Sequence, residues 1–339
     1  MQMMSQSSRS DRRGRPISWV RQLASARWTV LFFLLTAVAA LAVAYQGVAP
    51  STAMAAPFAL LLANLSAAIF THARFRADLP LLLFHLALVA LIALIALARL
   101  TYMEGTTTLT SGTAFEGQLL TEVRGPLHAG GLADVHFANE GFTENYSARG
   151  KLHATYNQLR WQDDAAQWHL AQIGDDHPLL IKGYKIFTTR YRGFSPLFMW
   201  QPVAGGEEYG TVQLPDPQDG GFAPAMDYKL PNGSDAWVML DLKAQTEPGN
   251  ARVDMGSKGL AHTLVLRVGD TRHVLRPGDQ VELPGGKLRY VQLDSWMGYN
   301  IAYDLTRPWI IATILIGMGS LIWFYWRKLA WNTPGEETR

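Results

Sequence analysis

The chain has 339 residues, 48% of them hydrophobic and 17% charged, with a formal net charge of +2 and no cysteine. Its charged fraction falls below the roughly 25% of ordinary soluble proteins, and its apolar residues gather before Leu100 and after Pro308, which argues against a wholly soluble chain. The small net charge gives no reason to expect a nucleic-acid partner, and the lack of cysteine excludes a disulfide framework, an iron–sulfur cluster, a cysteine-rich zinc site and a Cys-x-x-Cys-His haem-attachment motif of its own.

In chain order, the first dozen residues, rich in Ser, Gln and Arg, predict a disordered tail. Pro16 to Arg27 predicts a short amphipathic helix, with Trp19, Val20 and Leu23 on one face and Arg15, Arg21 and Arg27 available to lipid headgroups. Thr29–Tyr45, Ala53–Phe70 and Leu79–Ala98 lack Asp, Glu, Lys and Arg, as does Trp309–Trp326 near the carboxyl end. With their interfacial ends, each reaches the about 20 residues of a spanning helix. The first run lacks a convincing cleavage site and is followed closely by two more, so it reads as an uncleaved anchor.

Lys and Arg set the expected orientation. Arg9, Arg12, Arg13, Arg15, Arg21 and Arg27 precede the first span, Arg74 and Arg76 lie between the second and third, and Arg327 and Lys328 follow the fourth, whereas Gly47 to Ser51 carries none. This alternation predicts cytoplasmic termini and an extracytoplasmic segment from Thr101 to Arg307. Tyr45, Tyr102, Trp309, Trp323 and Trp326 suit interfacial belts, and Arg99 and Arg307 suit outer helix ends, where they snorkel to water. The expected organisation is therefore a basic tail and amphipathic helix (1–27), three transmembrane helices (28–100), an extracytoplasmic β-rich domain (101–307), a fourth transmembrane helix (308–326) and a cytoplasmic tail (327–339).

Between the third and fourth spans the pattern becomes one of short strands: Lys151–Tyr156, Trp168–Ile173, Tyr184–Tyr191, Ala236–Leu242, His262–Val268, His273–Leu275 and Leu288–Leu293. Turn signals separate them at Gly130-Gly131, Asp163-Asp164, Gly205-Gly206, Pro231-Asn232-Gly233, Pro277-Gly278-Asp279 and Pro284-Gly285-Gly286. Such punctuation predicts a β-sandwich or barrel-like domain. The Pro/Asp/Gly-rich stretch Gly210–Ala225 reads as a divider between two lobes.

No phosphate-binding loop, His-Glu-x-x-His or Gly-x-Ser-x-Gly is present, and none of the nine histidines pair at the i, i+4 spacing of a helical metal site. His128, His136, His153 and His169 read as surface or structural residues, His72 as a solvated loop residue, and Asp163-Asp164 and Asp175-Asp176 as turn residues; Asp304 stands where it can cap the fourth span or meet headgroups. His85 differs because it lies within the third span, towards its Pro80 end. Ionisable side chains in a bilayer are costly and face a protein interior or a ligand. Two readings of it stay open: neutral imidazole as an axial ligand of haem iron, or a histidine hydrogen-bonded to a neighbouring helix near Asn64.

The layout and local sequence resemble the ResB-like family, also called CcsB, of System II cytochrome c biogenesis. The resemblance rests on Trp19 to Trp28 with its Leu-Ala-Ser-Ala-Arg core, Asn64-Leu65, Leu83-Phe84-His85-Leu86, and Asp176-His177-Pro178-Leu179 followed by Gly183-Tyr184-Lys185-Ile186-Phe187. Arg276-Pro277-Gly278, Tyr299-Asn300-Ile301 into Arg307-Pro308, and the exit Trp326 to Trp331 continue it. The resemblance implies a bacterial cytoplasmic-membrane subunit of a cytochrome c haem lyase, which works with a CcsA-like partner to move haem b outward and present it to apocytochrome c. It also implies that His85 is the axial haem ligand, with the opposing ligand on the partner. The partner's Trp-rich haem-handling motif is absent here, so this chain is expected to be an accessory subunit, not catalytic alone. A shorter outer domain than in many relatives departs from the family plan. The alternative is a membrane-anchored scaffold whose outer β domain binds a respiratory or secreted partner without haem.

Overall fold

A computed structural model describes residues 15–46, 50–146, 152–174, 177–215, 223–242, 252–254 and 260–331. The described residues divide into two compact units. One is helical, formed by the chain through Tyr102, by Gly125–Leu127 and by the chain from Asp304 on; the other, Met103–Arg124 with His128–Tyr303, is built of strands.

The helical unit contains α1 (Arg15–Leu23), α2 (Ala26–Gln46), α3 (Pro50–Thr71), α4 (Ala73–Ala77), α5 (Leu79–Thr101) and α6 (Arg307–Trp331). Among the described residues, four helices are long and apolar enough to cross a membrane: Ala26–Gln46, Ala53–Thr71, Leu79–Thr101 and Arg307–Leu329. At about 1.5 Å per residue, such lengths match a hydrocarbon core of about 30 Å. Exposed Phe33, Leu34, Leu41, Leu315 and Ile322 leave these helices apolar towards their surroundings, as helices in lipid are. Pro80 and Pro308 occupy early positions of α5 and α6, where a missing N–H has no cost.

Two predicted features change here. The amphipathic helix expected from Pro16 to Arg27 ends at Leu23, and α2 begins at Ala26. Asn64 supplies the physical reason for the break. It is 2% exposed on α3, its Nδ2 donates to the Leu23 carbonyl at the end of α1, and its Oδ1 accepts from Thr29 Oγ1 at 2.8 Å. A terminal carbonyl and two side chains are thereby satisfied together. The stretch expected as a loop between spans two and three instead contains α4. Helix α5 packs on α3 and α6, and α2 on α3. Ala87 of α5 is buried, and a Cβ placed on Gly317 of α6 would lie 3.4 Å from the Ala87 Cβ. Small side chains thus set this helix separation.

The strand unit contains three antiparallel sheets. The largest runs β2 (Thr121–Arg124), β1 (Met103–Thr110), β16 (Gly286–Tyr303), β7 (Tyr184–Pro202), β6 (Leu179–Ile181). In addition, β15 (Gln280–Leu283) pairs with β16, and β8 (Glu208–Thr211) and β9 (Leu214–Pro215) pair with β7. A second sheet runs β12 (Arg252–Asp254), β3 (Phe137–Tyr146), β4 (Leu152–Gln162), β5 (Trp168–Gly174), and a third β10 (Ala225–Lys229), β11 (Asp235–Leu242), β13 (His262–Val268), β14 (Thr271–Leu275). Each segment expected to be a strand lies in one, apart from Lys151, which is outside the described residues. The predicted turn glycines fall between strands except Gly286, which opens β16, and Gly285 adopts φ +87°, a conformation open to glycine at little cost.

The long strands β7 and β16 exceed the short runs that were expected. Register shifts between Tyr290 and Gln292 and between Met297 and Tyr299 let them bend and continue. Residues 192–196 and 295–299 are buried without alternation, so these segments are covered on both faces. One core cluster joins Phe137, Phe142 and Leu159 with Val238, Leu240 and Leu264, and with Ile186, Phe194 and Ile301, side chains drawn from all three sheets.

The expected division into successive lobes at Gly210–Ala225 is not what forms. Residues 216–222 lie outside the described residues, but the chain after them does not stay apart: β12 joins β3, and β15 and β16 return to the largest sheet. Asp163 caps the turn between β4 and β5, its Oδ1 accepting from the Ala165 and Gln167 amides at 2.9 Å each. Asp175-Asp176, the other expected turn pair, and the amino-terminal tail through Gly14 lie outside the described residues.

Candidate functional site around His85

The site begins where α5 begins. Asp78, with extended backbone angles, precedes Leu79, and its carbonyl accepts from the Leu82 amide at 2.9 Å. Six residues into the helix, His85 is half-buried. Its Nδ1 lies 2.7 Å from the Leu81 carbonyl oxygen. A carbonyl only accepts, so Nδ1 carries a proton, and in the neutral form of the ring the lone pair is on Nε2. No hydrogen-bond partner of Nε2 is present among the described residues.

Aromatic rings flank this imidazole. The Phe84 ring meets it edge-on at 5.3 Å, and the Phe75 ring of α4 lies 4.4 Å away at 53°. His72, exposed, meets Phe75 at 6.0 Å. At the same helix end, Arg327 of α6 reaches Asp78 at 3.3 Å. Asn64, the neighbour considered for a structural histidine, is instead bonded to Leu23 and Thr29. A metal-bound histidine ordinarily donates its second ring N–H to a carbonyl or carboxylate, which orients the other nitrogen. The Leu81 bond supplies that arrangement, so the donor set fits an axial ligand.

The strand unit holds its histidines differently. Tyr184 Oη donates to the Gly130 carbonyl at 3.0 Å, so His128 Nε2, 2.9 Å from the same oxygen, is the donor in that pair. His169 Nε2 contacts Asp163 Oδ2 at 2.7 Å; the Gln167 amide above all, with His169 and the Ala165 amide adding to it, holds the Asp163 carboxyl below the usual carboxylate range. His136 is exposed, and the side chain of His153 lies outside the described residues. Sequence reasoning passed over His262, whose Nδ1 is 2.6 Å from the Leu260 carbonyl and whose Nε2 is 2.7 Å from Tyr290 Oη. Its partner lies 28 residues away on another sheet, a pairing that no local pattern signals. Asp304 Oδ1 accepts from the Thr306 amide and hydroxyl; Thr306 precedes α6, so these bonds order the turn into the helix and do not cap one of its amides. Among the described residues, no group of three or more His, Asp or Glu side chains is placed to hold a metal ion.

Buried polar groups knit the strand unit internally. Asn157 Nδ2 donates to Asn139 Oδ1 at 2.9 Å and to the Gly141 carbonyl at 2.8 Å. Tyr299 Oη donates to Asn157 Oδ1 at 2.9 Å. Arg192 of β7 pairs with Glu144 of β3, both buried. These contacts are internal to the fold and leave His85 of α5 as the candidate site.

No curated protein matches the sequence. Among solved structures, one described as "Cytochrome c Heme Lyase CcmF" is similar at 12% identity and a TM-score of 0.29, over 95% of this chain and 35% of that one. A family model described as the ResB-like family matches residues 77–262, a stretch that includes Leu81, His85 and all strands from β1 to β12. That is more than half of the chain, and the chain belongs to the ResB-like family.

Proposed function

We propose that the chain is the ResB-like subunit of a cytochrome c haem lyase. In this reading it crosses the bacterial cytoplasmic membrane four times, with both termini cytoplasmic and residues 101–307 on the outer side. The Arg and Lys distribution around the apolar helices supports that orientation. The subunit acts with a CcsA-like membrane partner, takes up haem b as cargo, and helps to present it to apocytochrome c. Bound haem would supply an iron centre open to axial ligation by imidazole.

The observation that carries the reading is the state of His85. Leu81 holds Nδ1 and leaves the lone pair on Nε2, in an apolar helix of a ResB-like chain. His85 would bind the iron, and Leu81 would orient the ring. The second axial ligand would come from the partner.

The test is co-purification of the full chain with a CcsA-like partner. A Soret band is expected, and His85→Ala should lower haem content and cytochrome maturation together. Unchanged haem content and maturation in that variant would remove His85 as ligand. A wild-type complex without a Soret band would leave the haem-free scaffold as the better reading.

A further inference from the structure

We propose that Phe75 is a positioning residue for His85: its ring sets the plane of the imidazole and so the orientation in which Nε2 is offered. The inference rests on the reading of His85 as a haem ligand. The final torsion of a histidine side chain is broad and poorly held by rotamer preference alone. The Leu81 bond fixes where Nδ1 points, but a ring held at one atom can still rock about that bond. Phe75 at 4.4 Å on one side and Phe84 edge-on at 5.3 Å restrict that rocking. A binding group must be held within about 10–20° to be productive, and two rings with one hydrogen bond provide that hold.

The placement of α4 supports the same role. A helix of five residues has little stability of its own. His72 at its start gives no side-chain cap, and Arg74 and Arg76 are exposed. Its one large apolar residue is Phe75, half-buried and turned to the His85 ring. Asp78, directly after α4, is tied to Arg327 of α6. The short helix is thus held at its end by an ion pair and placed over the ligand by its phenyl ring. A connection between two spanning helices could be made without a helical turn. This one brings a ring onto the imidazole.

The experiment uses the full chain in its haem-loaded complex with the CcsA-like partner. Phe75→Leu keeps apolar volume and removes the ring. It is expected to retain most of the haem, to shift and broaden the low-spin ferric EPR signal, and to raise severalfold the fraction of reduced haem that binds carbon monoxide. Phe75→Tyr should restore the wild-type signal, because the ring returns. If Phe75→Leu matches wild type in EPR and carbon monoxide binding while His85→Ala loses haem, Phe75 only packs α4, and the proposal falls with the ligand reading intact. If Phe75→Tyr shifts the signal as far as Phe75→Leu does, the ring is not the cause and the proposal also falls. If His85→Ala leaves the spectrum unchanged, the ligand reading fails and takes the proposal with it. Should Phe75→Leu not assemble, Phe75→Met, which also lacks a ring, provides the same readout, with an altered signal expected and an unchanged one overturning the proposal.

Discussion

At the scale of single residues, burial determines which side chains matter. Tyr299 is fully buried and its hydroxyl is pushed well above the ordinary tyrosine range by loss of solvent. Burial raises Tyr290 too, with Asp294 adding to the effect, and raises Tyr184, with Tyr303 nearby. The consequence for stability has a definite sign. In the unfolded chain these groups lose protons near the ordinary value of about 10, whereas in the fold they keep them to higher pH. Their contribution is therefore intact below about pH 10 and is lost as pH rises from there through the folded values. An alkaline titration of the intact protein should show a step in tyrosinate absorbance together with loss of the far-ultraviolet strand signal. A full tyrosinate change before any loss of strand signal would contradict the burial account. His85 shows what sequence reveals about a site at this scale. A lone histidine in an apolar run was visible from the residues, but the proton on Nδ1 became legible only through the 2.7 Å contact with Leu81.

At the scale of elements, the four long apolar helices were legible because their signal is local: an unbroken apolar run of about 20 residues stands out without reference to any partner. Helix α4 was hidden because five residues of Ala, Arg and Phe carry no periodic pattern, and their helicity comes from docking on α5. Strands β1 and β3 were hidden for a related reason. Runs such as Met103–Thr110 and Phe137–Tyr146 are polar, and they become strands by pairing with β16 and β4 far along the chain. The contact of α5 with α6 makes a prediction at this scale. Gly317→Leu should force the helices apart at Ala87 and cost about 1–3 kcal/mol, as overpacking does. The measurement is the thermal midpoint in detergent or nanodiscs, and a midpoint equal to that of the wild type would mean that this close approach does not limit the packing.

At the scale of the whole molecule, the strand unit is inserted in sequence between α5 and α6, and its first and last long strands, β1 and β16, pair along their length. The proposed orientation is open to direct labelling because the chain has no cysteine of its own. Val203 is 87% exposed in the strand unit, and Arg76 is exposed beside α5. In intact cells with an accessible membrane surface, an impermeant thiol reagent should modify Val203→Cys. Arg76→Cys should react only after permeabilisation. The reverse pattern would invert the topology and would place the His85 end of α5 outside.

The sequence by itself determined four apolar spans, a strand-rich segment between the third and fourth, most of its turns, a single histidine set in a span, and the ResB-like resemblance. All of these depend on composition and short-range order. Tertiary structure alone decided that α1 stops at Leu23, because Asn64 of a different helix meets its carbonyl. It decided that the chain after residue 225 rejoins earlier strands and does not form a second lobe, because β16 finds its partners in β1 and β7. It also decided that Phe75 stands against His85, a contact made between two helices across a break in regular structure. Local pattern specifies an element, whereas its partners depend on which buried surfaces and unmet hydrogen bonds are brought together when the chain folds.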